Sequence, residues 1–283
     1  MYRTAIVTDT NSGISPQQAE AMGISLIPMP FLVDGKLCLE GRDCTPEEFF
    51  QQLRAGADVS TSQPAPEEIL ELWETLLKDH DAVLHFPMSS GLSGSCQTAK
   101  ALAREYAGRV FVVDDHRISV TLLQSIRNAQ ILLEQGKTAE EVRDILEGES
   151  LESSIYIAVN TLEYLKKSGR VTAAGAAMAS VLNIKPVLQI QGDKLDAFKK
   201  VRGMRQAETA MLKAMKNDLE TRFAGEKPAL FAVYSGDKAP GDQWLEQVRA
   251  YFPDWQVEQG VLPLSICCHV GEGALAIACA KKR

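Results

Sequence analysis

"AVLHFPMSSGLSGSCQTAKALAREYAGRVFVVDD", residues 82–115, decides the fold class. Its two ends, "AVLHFPM" (82–88) and "RVFVVDD" (109–115), are apolar runs without polar alternation, as strands covered on both faces require. Between them, "SGSCQTAKALAREYAG" (93–108) reads as a helix. Strand, helix, strand at this spacing is a parallel crossover unit. The same grammar extends upstream. "TAIVTDT" (4–10) is a buried parallel strand ending in a polar loop. "SPQQAEAMG" (15–23) is a short helix with Ser15 as cap, Pro16 at its first position and Gly23 at its close. "ISLIPMPFLV" (24–33) is one extended segment, kinked or at an edge because of its two prolines. "TPEEFFQQLRAG" (45–56) repeats the cap-and-proline opening, and "PEEILELWETLLKDH" (66–80) is amphipathic, with apolar residues at 69, 70, 72, 73, 76 and 77. Helical runs over about 117–135 and 138–147 complete a doubly wound parallel sheet.

After "GESLESS" the pattern changes. "SIYIAVN" (154–160) is a strand, "LEYLKKSG" and "RVTAAGAAMASVLN" are short helices, and "IKPVLQIQGDKLDAFKKVRG" (184–203) is two strands about a Gly192-Asp193 turn. A long helix fills about 204–223; "ALFAVYSG" (229–236), "WQVEQGVL" and "ALAIACA" are strands, and "GDQWLEQVRAYF" (241–252) is a helix. A hairpin in helical surroundings points to a second domain with a mixed sheet. The expected division is 1–150 and 151–283 within the 283 residues.

Bulk properties narrow the function. Lys plus Arg number 30 against 37 Asp plus Glu, for a net charge of −7 and a pI near 5.3. A general nucleic-acid surface needs a basic excess, so that class is not expected. The six cysteines form no C-x-x-C pair and read as reduced thiols. Cys267-Cys268-His269 has the look of a ligand cluster, but no second cluster with metal spacing accompanies it, so no metal is expected. The N-terminus lacks a basic leader and a long apolar core, and no run approaches the roughly eighteen apolar residues of a membrane span. The expectation is a cytoplasmic protein.

Two polar loops carry the chemistry. "VSTSQPAPEEIL" (59–70) places Ser60, Thr61 and Ser62 ahead of a helix. One hydroxyl, on Thr61 or Ser62, can cap that helix; another can face an anion beside the N-terminal dipole. The plain alternative is an ordinary cap and loop. "FPMSSGLSGSCQTA" (86–99) follows a strand and sets Ser89, Ser90, Ser93 and Ser95 around Gly91 and Gly94. Glycines permit close approach of a ligand, and strand carboxyl ends are where open α/β sheets bind. The loop fits neither a nucleophile elbow nor a phosphate-binding loop. Together the loops read as two jaws of one anion site. Asp9, ending the first strand, reads as a loop cap or as part of the crevice.

In order along the chain, "VTDT", "VSTSQPAP", "SSGLSGSCQTA", "LEYLKKSGRV", "IKPVLQI" and "KKVRG" resemble the DegV family. The resemblance implies a two-domain α/β protein, DegV-like, with an N-terminal doubly wound parallel sheet and a second domain with a mixed sheet. It implies a long-chain fatty acid held between the domains. It further implies a bacterial carrier of the FakB type, which presents the acid to a separate fatty acid kinase for conversion to an acyl phosphate. Such a carrier has no catalytic residues and no cofactor of its own, and meets membranes only transiently, for lipid exchange. By the family pattern, Thr61 and Ser93 hold the carboxylate, with Arg170 of "KSGRV" and His269 of "HVGEG" beside them. Ser62, Ser90, Gly94 and Ser95 support the loops.

Two departures stand out. Glu272 occupies the proline position of the family's histidine segment, which sets a carboxylate beside a carboxylate site unless it turns to solvent. "VVDDHRISVTLLQ" is bulkier and more charged than the family's glycine-rich helix start, which bears on tunnel length. For the tunnel wall, "AAGAAMASVLNI" (173–184) is core or sleeve, and Met178, Phe31, Phe86 and Leu264 are candidate liners. Lys199, Lys200, Arg202 and Arg205 form a basic cluster in an acidic chain: a solvated hairpin end, or a docking patch for the kinase. The competing classes are a regulatory or interaction module and a serine hydrolase; the latter requires a histidine paired with a serine.

Overall fold

The computed structural model of the 283-residue chain describes all residues except 1–2, 107, 179–183 and 193. β1 (Thr4–Asp9) leads through a 3₁₀ turn (Thr10–Ser12) into α1 (Pro16–Met22). Ser15 caps α1 reciprocally: its Oγ accepts from Gln18 N at 3.2 Å, and Ser15 N donates to Gln18 Oε1 at 2.9 Å. β2 (Ser25–Ile27) returns beside β1. The chain then leaves this sheet. β3 (Pro30–Val33) and β4 (Lys36–Leu39) make a hairpin, followed by α2 (Pro46–Arg54) and β5 (Val59–Thr61). The segment 24–33 is therefore two strands in two sheets, not one. Pro28 breaks it, and Pro30 is tolerated in the central strand of the order β4-β3-β5 because it stands at the first position. Asp34 and Gly35, at φ 48° and 79°, make the hairpin turn.

α3 (Pro66–Leu76), β6 (Ala82–Phe86), α4 (Ser95–Ala103), β7 (Val110–Val112), α5 (Val120–Glu134) and α6 (Ala139–Gly148) complete the first half. Its four-stranded sheet runs β2-β1-β6-β7, all parallel. Alternate residues feed opposite faces: Ile6, Leu84 and Phe86 pack with Leu122 and Ile126 of α5, while Val7 and Val83 pack with Trp73 of α3 and Ala99 of α4. The doubly wound expectation holds.

The second half contains β8 (Ser153–Ala158), α7 (Glu163–Ser168), α8 (Ala173–Ala176), β9 (Ile184–Ile190), β10 (Asp196–Arg202) and α9 (Met204–Glu220). β11 (Ala229–Tyr234), α10 (Lys238–Tyr251), β12 (Val257–Val261), α11 (Leu264–Val270) and β13 (Leu275–Ala280) follow. The six-stranded mixed sheet runs β10-β9-β8-β13-β11-β12, with β11–β12 its parallel pair. One face packs under α9 and α10 through Met211, Met215 and Trp244. The other presents Ile155, Ile157, Val233, Ala276 and Ala278, in one apolar cluster with Phe31, Phe49 and Val59 of the small sheet and its helix. Position 193 of the β9–β10 turn, and 179–183 of the stretch read as sleeve or core, lie outside the described residues.

Candidate functional site

A cavity of about 280 Å³ lies between the strand ends of the parallel sheet and the inner face of the six-stranded sheet. Asn11 and Met88 reach it from beyond β1 and β6, and Ile118, Ser119 and Val120 from the start of α5. Ile155, Ile157, Ile190, Val233, Ala276 and Ala278 line it from the mixed sheet. Thr61, Ser62, Gln63, Ser93, Gly94, Arg170 and His269 add a polar cluster. A second cleft, of about 230 Å³, shares Thr61, Arg170 and His269 and adds Ser60, Tyr164, Lys167, Ser168 and Cys268. The polar cluster is thus the wall between an apolar chamber and a polar one.

Each jaw is built differently. Thr61 closes β5, where it pairs with Phe31, and Ser62 N donates to Pro30 O at 3.2 Å. Neither Thr61 nor Ser62 caps α3. Its N-cap is Ala65, with no side-chain hydrogen bond, because β5 holds Thr61 in the ladder. The Ser93 loop is held by side chains and carbonyls. Met88 N donates to Asp9 Oδ2 at 3.0 Å, Ser89 N to Arg117 O at 3.0 Å and Ser90 N to Asp114 Oδ1 at 3.2 Å. Ser93 Oγ accepts from Ser95 N at 3.2 Å, which leaves its proton for a ligand. Gln63 stitches the jaws together: its Oε1 accepts from Thr98 Oγ1 at 3.0 Å and lies against Gly94. A Cβ added at Gly94 would stand 3.7 Å from that oxygen.

His269 comes from α11, and its Nε2 lies 3.0 Å from Thr61 Oγ1. Burial, then the Arg170 charge, pushes the imidazole down to about 4, so it is neutral near pH 7. Its Nδ1 is buried without a hydrogen-bond partner. A bare lone pair is cheaper to leave unpaired than an N–H. The ring then carries its proton on Nε2 and donates to Thr61 Oγ1, which frees the Thr61 proton for an anion. Arg170 follows Gly169, whose φ of 70° ends α7, and its Nη1 donates to Ser168 O at 2.5 Å.

The structure therefore brings Thr61, Ser93, Arg170 and His269 to one cavity, with Ser62 and Gly94 beside them. Ser90 and Ser95 act within the loop through their backbone N–H groups and are not among the lining residues. The four candidate liners belong to the packed core instead. Phe31 and Phe86 are fully buried, and Met178 and Leu264 are also buried, none of them at the cavity. Lys199, Lys200, Arg202 and Arg205 are exposed on the edge strand β10 and the first turn of α9, away from the lining. Glu272 is not among the residues that line either cleft. Both its oxygens accept from Arg54 Nε, at 3.1 and 2.9 Å.

The model of the DegV family, "Uncharacterised protein, DegV family", matches residues 3–282. The chain belongs to the DegV family. It is 29% identical to a DegV domain-containing protein of Deinococcus radiodurans, over 97% of each chain. It superposes on a fatty-acid-binding DegV family protein from Thermus thermophilus with a TM-score of 0.88, at 30% identity, covering 99% of each. A DegV lipid binding protein from Thermotoga maritima gives 0.83 at 26% identity, with 99% of this chain and 100% of that one covered. The α/β architecture of this DegV protein, a parallel four-stranded sheet and a mixed six-stranded one, matches those folds.

Sequence reasoning missed parts of this DegV site. Asn11, Gln63, Ser119 and Ser265 line the cavity without having been singled out. Ile266 and Val270 of α11 line it too, and α11 as a helix escaped the sequence reading because its seven residues are too few to show a helical period. One available signal was overlooked: "VDGK" between apolar runs is a hairpin turn, and it creates the small sheet that carries Thr61. Among the described residues, no helix is long and apolar enough to cross a membrane, and no His, Cys, Asp and Glu group is arranged for a metal ion.

Proposed function

We propose that this protein binds a long-chain fatty acid and presents it to a separate fatty acid kinase for acyl-phosphate formation. The reading divides the chain at 1–150 and 151–283, the second part closing over the acyl chain. The single observation that carries it is the cavity itself: apolar along both sheets, and polar where Thr61, Ser93, Arg170 and His269 meet. A buried tail gains about 0.8 kcal/mol per methylene, so a dozen carbons give on the order of 10 kcal/mol gross before association costs. The hydroxyls then fix orientation and head-group choice. The solved DegV structures described as binding fatty acid or lipid support the same class of ligand.

No covalent step of its own is assigned to the chain, and no cofactor. His269 is bonded to Thr61 rather than to a serine, and at about 4 it is too weak a base for a serine hydrolase at neutral pH. The polar cleft beyond the wall gives a partner access to the head group, and the exposed Lys199, Lys200, Arg202 and Arg205 offer it a basic docking patch. The reading makes the protein a cytoplasmic carrier that touches membranes only to exchange lipid. Native mass spectrometry of the freshly purified protein tests it: the expected result is an added mass matching one fatty acid, released on denaturation. Protein that stays free of acid after incubation with excess palmitate or oleate would exclude the reading.

A further inference from the structure

The acyl cavity is held from behind by two carboxyl residues, Asp9 buried and Glu40 half-buried. Asp9, 2% exposed, accepts from Asn11 N at 2.9 Å through Oδ1 and from Met88 N at 3.0 Å through Oδ2. Glu40, just past β4, accepts from Thr10 Oγ1 at 2.9 Å and Ser265 Oγ at 2.7 Å through Oε2, and from Leu264 N through Oε1. Thr10 Oγ1 in turn accepts from Met29 N at 3.0 Å, and Ser265 Oγ lies 2.8 Å from Asn11 Oδ1. Asn11, Met29, Met88 and Ser265 all line the cavity, and each comes from a different segment. One of those segments is the loop of the Ser93 jaw, and another, α11, carries the His269 that is hydrogen-bonded to the Thr61 jaw.

We propose that Asp9 and Glu40 are paired positioning residues, which shape the acyl cavity only while both carboxyls are ionised and loosen it when one takes up a proton. The proposal rests on the fatty-acid reading for its ligand. All four carboxyl oxygens are already used as acceptors. A proton on either carboxyl removes the charge that strengthens these hydrogen bonds, and on Glu40 Oε2, which already accepts two, it displaces a donor. The hydrogen bonds to the pair come from uncharged groups, so nothing cationic in direct contact holds the charges in place. Burial, with the Glu40 charge adding to it, raises Asp9 to about 6, and burial raises Glu40 as well. Of the neighbouring titratable groups, burial pushes His85 of β6 down to about 3 and raises Asp115, two residues before the Arg117 carbonyl that holds the Ser93 loop. From α11, Cys267 and Cys268 are pushed up, Cys268 to about 12, and His269 is pushed down to about 4.

The linkage has a distinctive sign. A carboxyl whose folded value lies above its ordinary 3.8 favours the folded state as pH falls towards that ordinary value. Protonation of Asp9 therefore stabilises the fold while weakening the grip. A purely structural role would move stability and affinity together.

The experiment measures binding of cis-parinaric acid by fluorescence, and thermal stability, from about pH 7.5 to about pH 5.5, in the natural chain and in Asp9→Asn. The titration of the probe's own carboxyl is common to both and cancels in the difference. Relative to Asp9→Asn, the natural chain should gain stability and lose about tenfold in affinity as pH falls. Parallel affinity profiles overturn the proposal. Ser265→Ala, which keeps both carboxyls, should bind about 3- to 10-fold more weakly at about pH 7.5; unchanged binding overturns the Glu40 half. Hydrogen exchange without any ligand covers the remaining cases. The Met88 and Leu264 amides should lose protection over the same pH range, and pH-independent protection overturns the proposal. If the natural chain does not bind cis-parinaric acid at all, the fatty-acid reading fails, and the exchange result alone decides the joint.

Discussion

The two jaws of the cavity are made of different things. Thr61 is part of a β-ladder, so its position follows from backbone pairing with Phe31 and from the Ser62–Pro30 hydrogen bond. Ser93 stands in a loop whose amides end on the carboxylates of Asp9 and Asp114 and on the carbonyl of Arg117. Ladder support survives changes of side chain; carboxylate support does not, and it answers to pH. The difference teaches that one binding site can carry one jaw fixed by fold and another fixed by a few ionisable groups.

The comparison can be broken at several points. The largest effect should come from Thr61→Ala with Ser93→Ala. Losing two hydrogen bonds to a charged head group costs about 1.5–3 kcal/mol each, so fatty acid affinity should fall at least about 100-fold with little change in unfolding. If one single variant carries the whole loss, the jaws do not share the carboxylate. Asp114→Ala should come next. Ser90 N loses its acceptor, and urea unfolding should show a loss of about 1–3 kcal/mol, whereas Ser62→Ala leaves the ladder bond intact and should show none.

The strand beneath the Ser93 jaw gives an acid-limb test. Burial pushes His85 on β6 down to about 3, so the folded state keeps it neutral. Stability from this group is complete above its ordinary 6.5 and is lost as pH falls from there towards 3. At pH 5 the loss is about 2 kcal/mol, and His85→Leu should flatten that limb in thermal melts. The smallest effect belongs to Arg54→Ala. Its exposed pairing with Glu272 and Asp237 joins α2, behind the Thr61 jaw, to the second half. Exposed pairs contribute little, so affinity and melting temperature should not move. A clear loss of affinity would show that the ladder jaw also depends on charge.

The ladder and the loop also differed in how openly the sequence shows them. The parallel half announces itself through unbroken apolar strands and through caps such as Ser15 and Thr45, whose reciprocal bonds are local and written in consecutive residues. The two hydroxyl-bearing loops were legible through their glycine and serine spacing, whereas Thr61, Ser93, Arg170 and His269 were singled out only through the family resemblance. The joint behind it was not. Asp9 reads as a loop cap, and it is one, through Asn11 N; its second oxygen reaches Met88, 79 positions on. Glu40 meets Ser265 across 225 positions. Cavity liners such as Ile157 and Val233 share their pattern with core residues, because a wall and a core bury the same side chains. Only the packing of distant segments separates them.

The strand order of the mixed sheet bears on biosynthesis. β13 lies between β8 and β11, both of which leave the ribosome before it. Until β13 arrives, the nascent chain exposes two unpaired strand edges and lacks Ala276 and Ala278, which floor the cavity. The cavity is therefore complete only once β13 has paired with both strands. Open strand edges of this kind favour aggregation until that pairing is made.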